Sequence, residues 1–345
     1  MRLYLENGYV NIAAIRKLGL PFNFVVGGRG TGKTYTTLKE CYNGGEMFML
    51  MRRTQSQLDT ISRPEFSPFK TLNRDLDINV GVAPVSKYNG AFYKMVEGEK
   101  PGTLVPEGRP IGYTCALSTI ANMRGFDAQD VKTLIYDEFI PEQHERPIKN
   151  EGTAFLNAYE TINRNRELYG GEPLQVIALA NANDLANPIF LELGLSTVAE
   201  KMLRKKQEIY IDRTRGVGLF MLQDSPISKE KKTTALYKLT NGGSFEDMSI
   251  NNIFAHENSA KITSANLRQY NPVVSIGELC VYRHKSEGTF FCCSHISGSP
   301  PSFGTGDIER KRFARQYSWL WLEYLNRNIV FESQLCEKLL TKFLN

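Results

Sequence analysis

Gly27-Gly28-Arg29-Gly30-Thr31-Gly32-Lys33-Thr34 decides how the rest of the chain is read. It fills every fixed position of the pattern G-x-x-x-x-G-K-[ST]. An apolar run over residues 22–26 precedes it, and residues 34–40 read as the start of a helix. Glycines let the backbone wrap closely around phosphates with successive N–H groups turned inward, and the following helix adds its positive end. Lys33 brings a mobile ammonium to the β- and γ-phosphates, and the Thr34 hydroxyl is a magnesium ligand in this pattern. The strand, loop and helix around it separate this stretch from a glycine-rich turn that matches by accident. A site for ATP with Mg2+ is expected.

The partner is Thr133-Leu134-Ile135-Tyr136-Asp137-Glu138, a buried-strand pattern ending in two acids. Asp137 then lies at the carboxyl edge of the sheet and joins Thr34 at the metal. Glu138 orients and deprotonates a water for in-line attack on the γ-phosphate; the alternative is that it caps the strand or pairs with a surface base. The long interval between Lys33 and Asp137 leaves room for additional strands. With an acid directly after Asp137, this predicts the additional-strand, catalytic-glutamate class of P-loop NTPases. A nucleotide kinase would need an acceptor pocket and no water-activating glutamate at this spot.

Runs at 47–51, 111–117 and 174–180 also suit strands buried on both faces, which predicts an α/β fold with a parallel sheet between helices. The last run ends in Asn181, an amide placed either to contact the attacking water or γ-phosphate or to satisfy a turn before Asn187-Pro188. Residues 151–167 carry apolar Phe155, Leu156, Tyr159 and Ile162 at helical spacing and end in Asn163-Arg164-Asn165-Arg166-Glu167. Either arginine there is a solvated or salt-bridged helix-end residue, or one that neutralises charge at a neighbouring subunit's γ-phosphate. Arg52-Arg53 follow the 47–51 run and have phosphate, DNA or a neighbouring acid as candidate partners. Arg29, inside the loop near the nucleotide mouth, either faces an adjacent subunit or is an exposed or structurally paired arginine.

Texture changes after about residue 210. Residues 213–250, with Gly216, Gly218 and Asn241-Gly242-Gly243, read as a connecting region with little core. Runs at 273–276, 279–284 and 289–295 predict antiparallel strands, and 307–344 predicts helix, with Phe313, Tyr317, Leu320 and Tyr324 at steps of three and four. The expected division is 1–212, 213–250 and 251–345, the last a smaller α+β domain.

The 345 residues carry a formal charge of +5, and 41% are hydrophobic, as in an ordinary folded protein. That mild basicity permits nucleic-acid contact without demanding it. Lys201, Arg204, Lys205 and Lys206 form either a phosphate-tracking face or a solvated helix side. The six cysteines show no CxxC pair, so reduced, mostly buried thiols are expected rather than zinc. No signal-peptide or membrane-span pattern occurs, which predicts a soluble protein working inside a cell.

Together these motifs resemble the DNA-packaging ATPases (encapsidation proteins) of small protein-primed podophages, the Picovirinae. The similar stretches are residues 24–35 around the loop, 135–140 around the two acids, 164–167, and Leu179-Ala180-Asn181-Ala182 with Asn187-Pro188. Residues 246–252 and the closing segment around 322–331 extend the similarity over nearly the whole chain. The resemblance implies a homo-oligomeric ring, a pentamer, docked in the host cytoplasm at the portal vertex of an empty prohead. Such a ring hydrolyses ATP to push double-stranded DNA inside. In members that carry a structural prohead RNA, the motor binds it. The family pattern places the trans-acting arginine on Arg164, and a pore contact of such a ring would fall on Arg124. It implies a C-terminal domain of RNase-H-like fold, a nuclease relative that has lost activity. The strands there offer only Glu278 and Glu287, with Asp307 and Glu309 in a later loop, which is thin for a two-metal centre. The alternatives are a P-loop phosphotransferase acting on a small molecule and a nucleotide-binding scaffold for prohead assembly.

Overall fold

Nine strands in the first part of the chain run β3-β4-β5-β2-β6-β7-β1-β9-β8 across one sheet. The computed structural model describes all residues except 124–126, 143–144, 183, 224, 232–233, 240–261 and 345. The strands are β1 (Phe22–Gly27), β2 (Phe48–Arg52), β3 (Val80–Pro84), β4 (Gly90–Glu97), β5 (Leu104–Ala116), β6 (Thr133–Asp137), β7 (Gln175–Ala180), β8 (Ile209–Asp212) and β9 (Val217–Leu222). Pairing is parallel from β5 through β2, β6, β7 and β1 to β9. It turns antiparallel at both edges, where β3, β4 and β5 and then β8 and β9 are joined by short turns. The sheet is therefore mixed α/β rather than wholly parallel.

Central strands are apolar along their length because both faces are covered. On one face the helix Lys33–Asn43 sets Leu38 and Cys41 into a core with Val25, Leu50, Ile135 and Ile177. On the other, Phe155 from the helix Glu151–Asn163 stacks on Tyr136 at 5.6 Å, and Phe139 meets Phe24 at 5.7 Å. At about 25 cal/mol per Å2 of apolar surface buried, each such aromatic side chain contributes roughly 2–3 kcal/mol.

Within the stretch read as a connecting region with little core, residues 217–222 are a sheet strand. Val217–Leu222 is buried throughout as β9 and pairs in parallel with β1. Gly218 fits this strand because Leu20 and Phe220 fill the space its side chain would take. Two short helices, Pro226–Lys231 and Ala235–Leu239, follow.

The chain separates into two compact units that cut across the expected linear division. One unit holds 1–148, 154–183 and 206–253; the other holds 149–153, 184–205 and 254–345. Residues 184–205 thus group with the C-terminal residues rather than with 1–183.

In the second unit β10 (Tyr270–Ile276), β11 (Leu279–His284) and β12 (Phe290–Cys293) form the expected antiparallel meander. Two short strands flank it in parallel, β13 (Ser302–Phe303) beside β10 and β14 (Ile329–Phe331) beside β12. The closing segment is not continuous helix. Asp307–Gln316 and Trp319–Leu325 are followed by β14, entered through the left-handed Arg327 at φ 58°, and only then by Gln334–Leu344. Phe313, Tyr317 and Phe303 pack together there, with ring centroids 5.5–5.7 Å apart.

Candidate nucleotide site

The tip of β1 turns into the helix Lys33–Asn43 through a loop whose left-handed backbone favours glycine at two points, Gly30 at φ 74° and Gly32 at φ 76°. Gly27 is required for a different reason: a Cβ there would stand 2.5 Å from the Leu222 Cβ on β9. The loop is fastened from within by the buried Thr31 hydroxyl, which donates to the Gly28 carbonyl at 3.0 Å. Val10 fastens it from outside, donating its N–H to the Thr31 carbonyl at 3.0 Å.

Lys33 folds back into this loop. Its Nζ donates to the carbonyls of Gly27 at 2.9 Å and Gly28 at 2.8 Å, and to Asn181 Oδ1 at 3.3 Å. Burial lowers its pKa to about 8, against the opposing pull of Asp137. Asn181 belongs there because β7 lies between β6 and β1, which sets its tip between the phosphate loop and the acidic pair. The strand that intervenes in space comes from after Asp137 in the chain, not from the interval before it.

Asp137 ends β6 nearly buried and accepts a hydrogen bond from the Thr34 hydroxyl at 3.0 Å. Burial pushes its carboxyl above the usual carboxylate range, and Arg52 opposes that shift. Glu138 takes a left-handed conformation, φ 57°, so the chain leaves the sheet sharply, and the next N–H, of Phe139, donates to the Leu179 carbonyl at 3.2 Å. A non-glycine residue in this region is uncommon and clusters at functional sites. Arg52, from the end of β2, lies beside both acids: Nη1 is 2.6 Å from Glu138 Oε2, and Nη2 is 3.6 Å from Asp137 Oδ2. Both contacts are ion pairs by distance without hydrogen-bond alignment at Nη1.

Lys33, Thr34, Asp137, Glu138 and Asn181 line one cavity of about 610 Å3, together with Arg29, Gly30 and Gly32. That volume lies within the range of sites for small molecules and cofactors. The oxygen donors of Thr34 and Asp137 suit a hard cation such as Mg2+.

Of the remaining arginines, Arg29 reaches the cavity mouth, where it pairs with Glu142. Arg53 is fully buried and pairs with Glu145. Among the partners considered for Arg52-Arg53, both side chains are therefore held by acids. Arg166 is structural: its guanidinium donates to the carbonyls of Val131 at 2.7 Å and Ile162 at 3.1 Å. Arg164 is exposed at the end of its helix, in a left-handed conformation at φ 49°, and does not line the cavity. Lys201, Arg204, Lys205 and Lys206 are exposed, while Met202 between them is buried. Arg124 and residues 246–252 lie outside the described residues.

Several contributors escaped the sequence. Tyr9, Tyr35 and Glu142 line the cavity, and Lys231 donates to the Arg29 carbonyl from the stretch read as a connector. No local pattern marks any of them, since each acts through a partner far away in the chain. All six cysteines are buried and unpaired by disulfides. No described helix is long and apolar enough to cross a membrane.

The family described as Podovirus DNA encapsidation protein (Gp16) matches residues 9–278. The DNA packaging protein of Bacillus phage phi29 is 29% identical over 238 residues, 67% of this chain and 61% of that protein. Its counterpart in Bacillus phage B103 is 28% identical over 246 residues, 70% of this chain and 66% of that protein. The chain thus covers less than two thirds of the length of these curated relatives. Among solved structures, the bacteriophage Phi-29 viral genome packaging motor assembly aligns with a TM-score of 0.62 at 20% identity, covering 98% of this chain and 99% of that one. The Phi-28 gp11 DNA packaging motor aligns at 0.61 and 18% identity, covering 98% and 97%. At these identities the likeness is one of fold.

Proposed function

Because this chain belongs to the podovirus DNA encapsidation protein family, we propose that it is an ATP-driven motor subunit that moves double-stranded DNA through a portal into a prohead. The observation that carries this reading is the convergence of Lys33, Thr34, Asp137, Glu138 and Asn181, drawn from three strand ends, on one cavity. The placement of β7 between β1 and β6 supports the additional-strand, catalytic-glutamate class.

In this reading the loop from Gly27 to Thr34 cradles the phosphates of ATP through its N–H groups. Lys33 leaves the Gly27 and Gly28 carbonyls for the β- and γ-phosphates, whose negative charge favours its ammonium form. Thr34 and Asp137 would hold Mg2+, which would offset the charge that develops on the phosphates. Glu138 orients and deprotonates the attacking water, and Asn181, 3.3 Å from Lys33 Nζ, lies where it contacts the γ-phosphate or that water. Arg164, exposed and away from its own cavity, serves the site of the next subunit in a homo-oligomeric ring, a pentamer by family resemblance. The working place is the portal vertex, within the host cytoplasm, and a structural prohead RNA is a partner where one is present.

The ATPase part takes in residues 1–148 and 154–183 together with β8 and β9. The second unit is then an RNase-H-like module without nuclease activity. Two of the acids on or after its strands serve local contacts: Glu278 accepts from the Thr197 hydroxyl at 2.9 Å, and Glu309 pairs with Arg312 at 2.6 Å.

The test is ATP hydrolysis by the wild type and Glu138→Gln, each alone, with double-stranded DNA and with empty proheads. A motor shows stimulation that Glu138→Gln abolishes, by a factor on the order of 10²–10⁴, while ATP and DNA binding persist. Hydrolysis that ignores DNA and proheads points instead to a small-molecule phosphotransferase, and indifference to the substitution points to a scaffold.

A further inference from the structure

Two tyrosines share the cavity with the phosphate-loop residues, and none of the phosphate or metal chemistry above uses them. Tyr9 and Tyr35 both line it, with ring centroids 5.7 Å apart and planes at 65°, so they meet edge to face and do not stack on one another. Tyr9 lies directly on the loop: a Cβ on Gly32 would stand 2.4 Å from its Cγ. Its backbone is fixed on both sides, since its carbonyl accepts from the Leu5 N–H at 2.8 Å and its N–H donates to Asn7 Oδ1 at 3.1 Å. Tyr35 is fixed in turn, its hydroxyl donating to Asp75 Oδ2 at 3.1 Å. Two braced aromatic rings thus line the same cavity as the phosphate-loop residues and the charged Lys33, Asp137 and Glu138.

We propose that Tyr9, braced by Gly32 and Tyr35, is the platform on which the base of the nucleotide stacks. This rests on the nucleotide reading of the cavity given above. The chemistry is that of an aromatic ring meeting the π-face of a base, which needs no particular hydrogen-bond edge. The phosphates then lie on the loop N–H groups and the base at the Tyr9 end. The absence of a side chain at Gly32 lets the ring sit close enough to serve both.

The experiment is calorimetric titration of the full chain with Mg2+-ATP and, separately, with Mg2+-tripolyphosphate, which carries the charge without the base. Wild type, Tyr9→Ala, Tyr9→Phe and Lys33→Ala are compared. Tyr9→Ala is expected to weaken ATP binding about tenfold or more, as loss of one base–aromatic stack does, and to leave tripolyphosphate binding within about twofold. Tyr9→Phe keeps ATP affinity. The proposal is overturned if Tyr9→Ala binds ATP like the wild type, or if it loses both ligands equally, which would make the ring a structural support of the loop. In either case, loss of both ligands in Lys33→Ala leaves the nucleotide site standing. If wild type binds neither ligand, or Lys33→Ala alters neither, the nucleotide reading fails and this inference goes with it.

Discussion

Arg52 Nη1 lies 2.6 Å from Glu138 Oε2, so the proposed water-activating carboxylate is held by a cation from the neighbouring strand end. The same guanidinium stands 3.6 Å from Asp137 Oδ2. The two contacts differ in weight. Asp137 is nearly buried and loses much when left unpaired, whereas the Glu138 side chain is 52% exposed and its attraction is screened by water. Arg52→Ala is therefore expected to lower the stability of the nucleotide-free protein by roughly 2 kcal/mol or more, read from urea unfolding. It also lowers ATP turnover, because Glu138 loses the group that positions it. An Arg52→Ala protein as stable and as active as the wild type would dismiss the pair as incidental.

Phe220 on β9 is fully buried, in the stretch whose glycines suggest a connector. Phe220→Ala should cost about 3–5 kcal/mol, the usual range for a core phenylalanine. Its urea midpoint drops accordingly, whereas a residue in a true linker would leave the midpoint unchanged.

Arg164 and Glu138 are proposed to act in the same site from different subunits. Mixtures of Arg164→Ala and Glu138→Gln proteins, each nearly inactive, should recover ATPase activity over a range of ratios, since some interfaces then pair two intact residues. Activity that follows simple dilution of each variant rules out the shared site.

The buried thiols make the protein sensitive to alkali. Burial pushes Cys41 and Cys336 up to about 12. An acid whose folded pKa lies above its unfolded value gives stability that is complete below the unfolded pKa, near 9, and is lost as pH climbs toward the folded one. Urea midpoints should fall between about pH 9 and 11. At neutral pH a thiol reagent should modify the cysteines no faster than the protein unfolds, because both access and thiolate are lacking.

The phosphate loop and the acidic pair were legible because their chemistry is contiguous: Gly27 to Thr34 forms a complete cradle by itself, and Asp137-Glu138 close a strand whose apolar run is visible. The edges of the sheet were less legible. The antiparallel β3, β4 and β8 pair through short turns, and nothing in the central parallel pattern announces them.

The amino-acid order by itself determined the glycine-rich loop, the two acids and the α/β alternation, because each depends on residues within a few positions of one another. Only the tertiary structure decided that β7 would set Asn181 against Lys33, that Arg52 would hold Glu138, that Tyr9 would lie on Gly32, and that β9 would complete the core beside β1. Those contacts join segments far apart in the chain. They are selected by burial and pairing across the folded sheet, which leaves no periodic trace in any local window.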